Sequence, residues 1–192
     1  MDKPFIADQT FKGIDYTKNR LPLGEYENCV FEGCNFSENY LDNQNFVECE
    51  FIDCNLSNAN LKQSIFNEVS FSRCKMMGLK FEECNDFLMH FNFTDCTLNL
   101  SSFYQLTLKK QKFEACKLIQ VDFTEAVLIE GVFHNSNLEG AIFERTNLEK
   151  ADFTTATHFT IDPLKNRLKK AKFSKEGVLG LLKNYDIIVE DS

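Results

Sequence analysis

Large apolar residues recur along this chain at intervals of five. Stepping from Phe11 gives Tyr16, Leu21, Tyr26, Phe31, Phe36, Leu41, Phe46 and Phe51, and the step holds as far as Phe81. It lapses at Asp86, resumes at Leu88 after a shift of two residues, and continues through Phe93, Leu98 and Phe103 to Phe153. His158 and Pro163 break the rule, and Leu168 and Phe173 restore it. A period of five fits neither the 3.6 of a helix nor the 2 of a strand. It buries one side chain per repeat only if the chain turns a corner every five residues, and four corners make a square coil of about 20 residues.

Residues 20 apart should then stack, and the columns bear this expectation. One reads Phe11, Phe31, Phe51, Phe71, Phe93, Phe113, Phe133, Phe153 and Phe173 once the two-residue shift is allowed. A second reads Leu21, Leu41, Leu61, Phe81, Phe103, Phe123 and Phe143, and a third Tyr26, Phe46, Phe66, Leu88, Leu108, Leu128 and Leu148. The shift falls between Phe81 and Leu88, with either Phe87 or Leu88 expected in the core. The residue two before each centre also points inward, where space is tight. Small residues hold it: Ala59, Ala126, Ala141, Ala151, Ser64, Ser136, Gly24 and Gly131. All eight cysteines share this register: Cys29, Cys34, Cys49, Cys54, Cys74, Cys84, Cys96 and Cys116. Their spacings contain no C-x-x-C, so a metal site or disulfide framework gives way to reduced, small buried hydrophobes.

The remaining positions of each pentad face outward. Asn often precedes the centre and Ser or Thr follows it, which creates sequons such as Asn35-Phe36-Ser37 as by-products of the repeat. His90, His134 and His158 lack metal-ligand spacing, and no nucleophile, phosphate-cradling or paired-carboxylate motif appears. No cofactor is expected, and a filled rod lacks the concave pocket catalysis needs, so an enzyme is not expected. Between Leu21 and Leu61 there is no Lys or Arg. Glu25, Glu27 and Glu48 fall on one face of the coil, and Glu32, Glu50 and Asp53 on the next. Two readings stay open: a solvated acidic surface that keeps an edge-rich fold soluble, or carboxylates arrayed like duplex phosphates for a cationic groove. Asp86 and Phe87, at the shift, form a candidate contact loop.

The tail differs. Ser174 suits an N-cap, predicting a helix over 175–184, with Ile187, Ile188 and Val189 as a short strand. The division is 1–174 for the solenoid and 175–192 for its cap. Val178, Leu179, Leu181, Leu182 and Tyr185 exceed one apolar stripe, which points to a cap that also dimerises.

The motifs AnLkq (59–63), AdFtt (151–155) and CnFse (34–38) resemble the A-(D/N)-L-x-x unit of pentapeptide-repeat proteins over roughly residues 4 to 175. That resemblance implies an all-β fold, a right-handed quadrilateral parallel β-helix of about eight coils with a short C-terminal helical cap. The stretch FEGCNFSENYLDNQNFVECEFIDCNLSNANL and the ending IDPLKNRLKKAKFSKEGVLGLLKNYDIIV are similar to the Qnr-type quinolone-resistance branch. This implies a homodimer joined through C-terminal helices. It also implies a DNA mimic that binds DNA gyrase or topoisomerase IV and protects them from fluoroquinolones. A scaffold or interaction module with another partner is the alternative. Several Qnr-type proteins carry long projecting loops; this chain has only the two-residue shift near Asp86.

Composition narrows the picture further. The 192 residues are 43% hydrophobic, with 20 Phe and no Trp, enough for a packed core and against disorder. The net charge of −8 argues against direct binding to nucleic acid or anionic membrane. No apolar run reaches membrane-spanning length and the start lacks a signal-peptide core, so a cytoplasmic protein is expected.

Overall fold

The computed structural model describes residues 3–185 and 187–190. It is a parallel β-solenoid of about eight turns. Strands of only two to four residues stack on one another, because a five-residue side leaves room for little more. Phe5–Ala7, Glu25–Glu27, Asn45–Val47 and Ile65–Asn67 form one four-stranded sheet, here the Tyr26 face. Thr10–Lys12, Val30–Glu32, Glu50–Ile52, Val69–Ser72, Phe91–Thr94 and Phe113–Glu114 form a six-stranded sheet, here the Phe11 face. Pairing is in register at 20 residues, as in Phe31 with Phe51 and Tyr26 with Phe46. Asp152–Phe153 pairs with Lys172–Phe173 near the C-terminal end, and elsewhere single bridges continue the ladder: Phe36, Leu56 and Met76 N–H each donate to the next coil at 2.7 Å.

The all-Phe column is one continuous stack of rings. Successive centroids from Phe11 to Phe173 lie 4.6–5.5 Å apart, with interplanar angles of 6–23°. Such offset stacking suits the ring quadrupole and follows from the coil spacing itself. Phe81, Phe103, Phe123 and Phe143 stack likewise on the neighbouring side.

Most corners are made by the residue two after a centre. Glu38, Asn43, Asn58 and Gln63 have φ of 54–59°, the left-handed region, which turns the chain without an extra residue. Asn39 N–H and Ala59 N–H close the turns onto Phe36 O and Leu56 O at 3.3 and 3.0 Å. The inward position two before each centre is small because the previous coil presses on it: a Cβ on Gly24 would meet Ile6 Cδ1 at 2.5 Å. Where the side chain there has a donor, it is used. Cys54, Cys74, Cys96 and Cys116 Sγ donate to the carbonyls of Phe31, Phe51, Phe71 and Phe93 at 3.2–3.6 Å. Ser136 Oγ continues the series to Phe113 O at 3.1 Å, and Thr146 Oγ1 reaches Phe123 O at 2.8 Å. All eight cysteines are free and buried, as the register predicts, and these thiols also donate to carbonyls of the preceding coil. The outward Asn habit has a similar cause: Asn35 and Asn55 Oδ1 accept the N–H two residues on, at Ser37 and Ser57.

Three expectations need correction. At the register shift neither Phe87 nor Leu88 enters the core; both are exposed, at 66% and 61%. Met89 packs against the core and Phe91 fills it, its ring 5.3 Å from Phe81 and 5.1 Å from Phe93. The chain loops outward at 86–88 and rejoins the ladder where His90 N–H donates to Phe66 O at 2.9 Å. The tail is not a helix: Gly177–Leu181 and Lys183–Tyr185 are isolated 3₁₀ turns. Ser174 Oγ does accept Gly177 N–H at 2.8 Å. Two glycines in five residues disfavour an α-helix, and Gly180 sits so close to Phe159 that a Cβ would lie 2.6 Å from its carbonyl oxygen. Ile187–Val189 form no strand; they lie exposed with no ladder partner among the described residues. Where His158 and Pro163 break the step, Phe159 and Ile161 turn inward instead.

Candidate protein-binding surface

The acidic positions lie where the five-residue step places them. Glu25 and Glu27 flank the buried Tyr26 in one strand and Glu48 follows the strand one coil above, all exposed on the Tyr26 face. Glu32, Glu50 and Asp53 lie on the Phe11 face around the buried Phe31 and Phe51. Alternation turns Glu25, Glu27, Glu32 and Glu50 outward beside their buried centres, and Glu48 and Asp53 point out because they sit at left-handed corners, with φ of 52° and 54°.

Two of the six carboxylates are neutralised by the adjacent coil. Lys12 Nζ lies 2.9 Å from Glu32 Oε1. Arg73 grips Asp53 through two parallel bonds, Nε to Oδ1 and Nη2 to Oδ2, each 2.8 Å. The Arg73 guanidinium holds the Asp53 carboxyl below the usual carboxylate range. Neither cation lies between Leu21 and Leu61, so a count along that stretch misses both; reading 20 residues ahead and behind finds them. Glu25, Glu27, Glu48 and Glu50 have no salt bridge among the described residues, though Asn45 Nδ2 donates to Glu25 at 3.3 Å. Charge pairs at the coil interval recur farther along, as in Arg145–Glu125 at 2.5 Å and Lys150–Glu130 at 3.0 Å.

The Tyr26 face is electrically lopsided. Its N-terminal half also carries Asp8 and Glu68, both exposed and without a salt bridge among the described residues. Lys3 reaches this half, with Nζ 2.7 Å from Asn45 Oδ1. Beyond the shift the face carries Lys109, Lys110, Lys150, Arg167, Lys169 and Lys170, all exposed, with Glu130 and Glu149 half-buried among them. Asp86 and Phe87 stand between the halves, and Asn85 Oδ1 holds the loop by accepting Phe87 N–H at 2.9 Å.

At the C-terminal end, Leu181 packs on the core and Ile161 N–H donates to Gly180 O at 3.1 Å, so the turns cover the last coil. Val178, Leu179, Leu182 and Tyr185 remain 36–43% exposed, and Ile187, Ile188 and Val189 more so. No group of His, Cys, Asp and Glu among the described residues is arranged to hold a metal. No helix among them is long and apolar enough to cross a membrane.

Solved structures with the same shape include two trypsin-treated variants of QnrB1, a plasmid-mediated fluoroquinolone resistance protein. One matches at TM-score 0.65 and 19% identity over 100% of this chain and 96% of that one. The other matches at 0.63 and 18% over 97% and 100%. HetL, a pentapeptide repeat protein involved in heterocyst differentiation regulation in the cyanobacterium Nostoc sp. strain PCC 7120, matches at 0.64 and 16% over 91% and 86%. At these identities the likeness is one of fold. No curated protein matches the chain in sequence. A model of the pentapeptide repeat region matches residues 44–115, and one of eight tandem pentapeptide repeats matches 112–145. With the five-residue period, the stacked columns and the solenoid, these matches show that the chain belongs to the pentapeptide-repeat family.

Proposed function

We propose that this protein is a non-catalytic, DNA-mimicking ligand of a type II topoisomerase, DNA gyrase or topoisomerase IV. The observation that carries the reading is the set Glu25, Glu27, Glu48 and Glu50: four exposed carboxylates on two adjacent faces, free of salt bridges among the described residues. Coils rise by about 4.8 Å, so these charges follow a narrow straight rod much as phosphates follow a duplex. The fold shared with QnrB1 supports the reading, and protection from fluoroquinolones is the outcome it implies. The exposed apolar tail around Leu179 and Leu182 supports a homodimer joined end to end, doubling the rod to about 80 Å. A scaffold with another partner is the second reading, favoured by the equal likeness to HetL.

The test is a gyrase supercoiling and DNA-competition assay, with and without ciprofloxacin. Wild type should compete with duplex DNA, and its binding should weaken with salt, since exposed charges are screened within about 8 Å at physiological ionic strength. Changing Glu25, Glu27, Glu48 and Glu50 together to Gln leaves every inward position untouched and should abolish competition. A folded quadruple variant that binds as well as wild type would refute the assignment of these faces. Wild type that never competes with DNA leaves the scaffold reading in possession.

A further inference from the structure

The Tyr26 face is complementary to itself. Four levels of the face lie on either side of the 86–88 loop, centred on Ile6, Tyr26, Phe46 and Phe66 before it and on Leu108, Leu128, Leu148 and Leu168 after it. The acidic side carries Asp8, Glu25, Glu27, Glu48 and Glu68; the other side is predominantly basic. At the midpoint stand two large apolar side chains in water, Phe87 and Leu88.

We propose that this face pairs with the same face of a second copy, antiparallel, about a two-fold axis through the Phe87–Leu88 loop. The charge pattern itself selects this partner and direction. A two-fold axis at the midpoint brings each level before the loop opposite the equivalent level after it. Glu68 then faces Lys109 and Lys110, and Asp8 faces Lys169 and Lys170. Glu48 meets Glu130, whose charge Lys150 already neutralises at 3.0 Å, and Glu25 and Glu27 meet the level of Glu149 and Lys150, so the attraction comes from the innermost and outermost levels. Parallel packing would set like charge against like along the whole face. At the axis Phe87 and Leu88 of the two copies cover each other, which removes exposed apolar surface in the middle of a charged face.

The size fits a modest interface. A face about 40 Å long and roughly 13 Å wide covers about 500 Å² per copy, or about 1,000 Å² in all, the low edge of specific association. Pairing should therefore be weak, reversible and salt-sensitive. It occupies Glu25, Glu27 and Glu48, so it would compete with the topoisomerase contact, but it does not depend on that contact existing. It also differs from end-to-end joining through the tail, which holds the two 86–88 loops far apart.

The experiment uses the full chain carrying Phe87→Cys, whose new thiol is exposed while the native eight are buried. Mild oxidation with diamide should give an intermolecular disulfide in good yield at low ionic strength. The yield should fall about tenfold at about 1 M salt, where the screening length is about 3 Å. Two further proteins in this background carry Glu48→Lys with Glu68→Lys, or Lys109→Glu with Lys110→Glu. Each alone should cross-link several-fold less, and an equal mixture should regain the unreversed yield as a heterodimer. Circular dichroism checks that all three are folded. Yields that ignore salt and charge reversal, or a mixture no better than its components, would overturn the proposal.

Discussion

Phe71→Ala tests whether the ring stack holds the rod together. The ring is fully buried, stacked on Phe51 at 5.0 Å and on Phe93 at 5.5 Å, and tilted against Phe66 at 5.9 Å. Burial of a side chain of this size is worth about 2–3 kcal/mol. Two stacked neighbours lose a partner, each at about 0.5–1.5 kcal/mol beyond area. The sum, about 3–6 kcal/mol, spans the range of about 3–5 kcal/mol for large aromatic truncations in well-packed cores, which is the loss expected here. Relaxation into the void is limited, because the neighbouring rings are fixed by ladders of backbone hydrogen bonds to the coils above and below. For a chain of this length the loss corresponds to a drop in Tm of about 6–20 °C. Phe71→Leu, which refills most of the volume as leucine does in other columns, should cost less than about 1.5 kcal/mol. Phe5→Ala, at a residue 63% exposed, should fall within about 0.5 kcal/mol. Urea unfolding followed by circular dichroism reads all three. A Phe71→Ala loss under 1 kcal/mol would mean that the column fills space without stabilising the fold.

Further outcomes follow from titratable groups. A bulky thiol reagent should label almost no cysteine in the native protein and all eight after unfolding; fast native labelling of most of them would contradict the inward register. Burial pushes the Cys49 and Cys116 thiols and the Tyr16 phenol up to about 12. A raised folded pKa gives stability that is complete below the unfolded value and lost as pH climbs toward the folded one. The urea midpoint should therefore fall progressively above about pH 8.5, and a flat profile to pH 11 would count against it. At the acid end the sign reverses. Arg73 at Asp53, Gln105 with Arg145 at Glu125, and Lys150 at Glu130 all hold carboxyls below their ordinary range. Their contribution is present above the unfolded pKa and lost as pH falls through the folded one. Asp53→Asn should flatten the decline of Tm below about pH 4, and an unchanged acid limb would show that this exposed pair adds nothing.

The five-residue spacing determined the coil, its columns and the inward cysteines, because a narrow square core admits one large side chain per side and one small one beside it. A fault in either would break a whole stack, so the constraint repeats along the sequence until it is legible. The outward acidic positions followed from the same five-residue unit, four as strand neighbours of a buried centre and two at its corners. Only the tertiary structure decided the rest. At the register shift, Phe87, Leu88, Met89 and Phe91 are all apolar, and hydrophobicity alone cannot choose among them; the fit of Phe91 between Phe81 and Phe93 does. In the tail, Ser174 makes the bond expected of an N-cap, yet the approach of Gly180 to Phe159 replaces a helix with 3₁₀ turns. The charge surface changed most. Lys12 and Arg73 lie far along the chain from Glu32 and Asp53 but one coil away in space, so two of six carboxylates are paired and four have no salt bridge among the described residues. Composition along a segment cannot report this, because in a solenoid the electrostatic neighbours of a residue are those 20 positions before and after it, not those beside it.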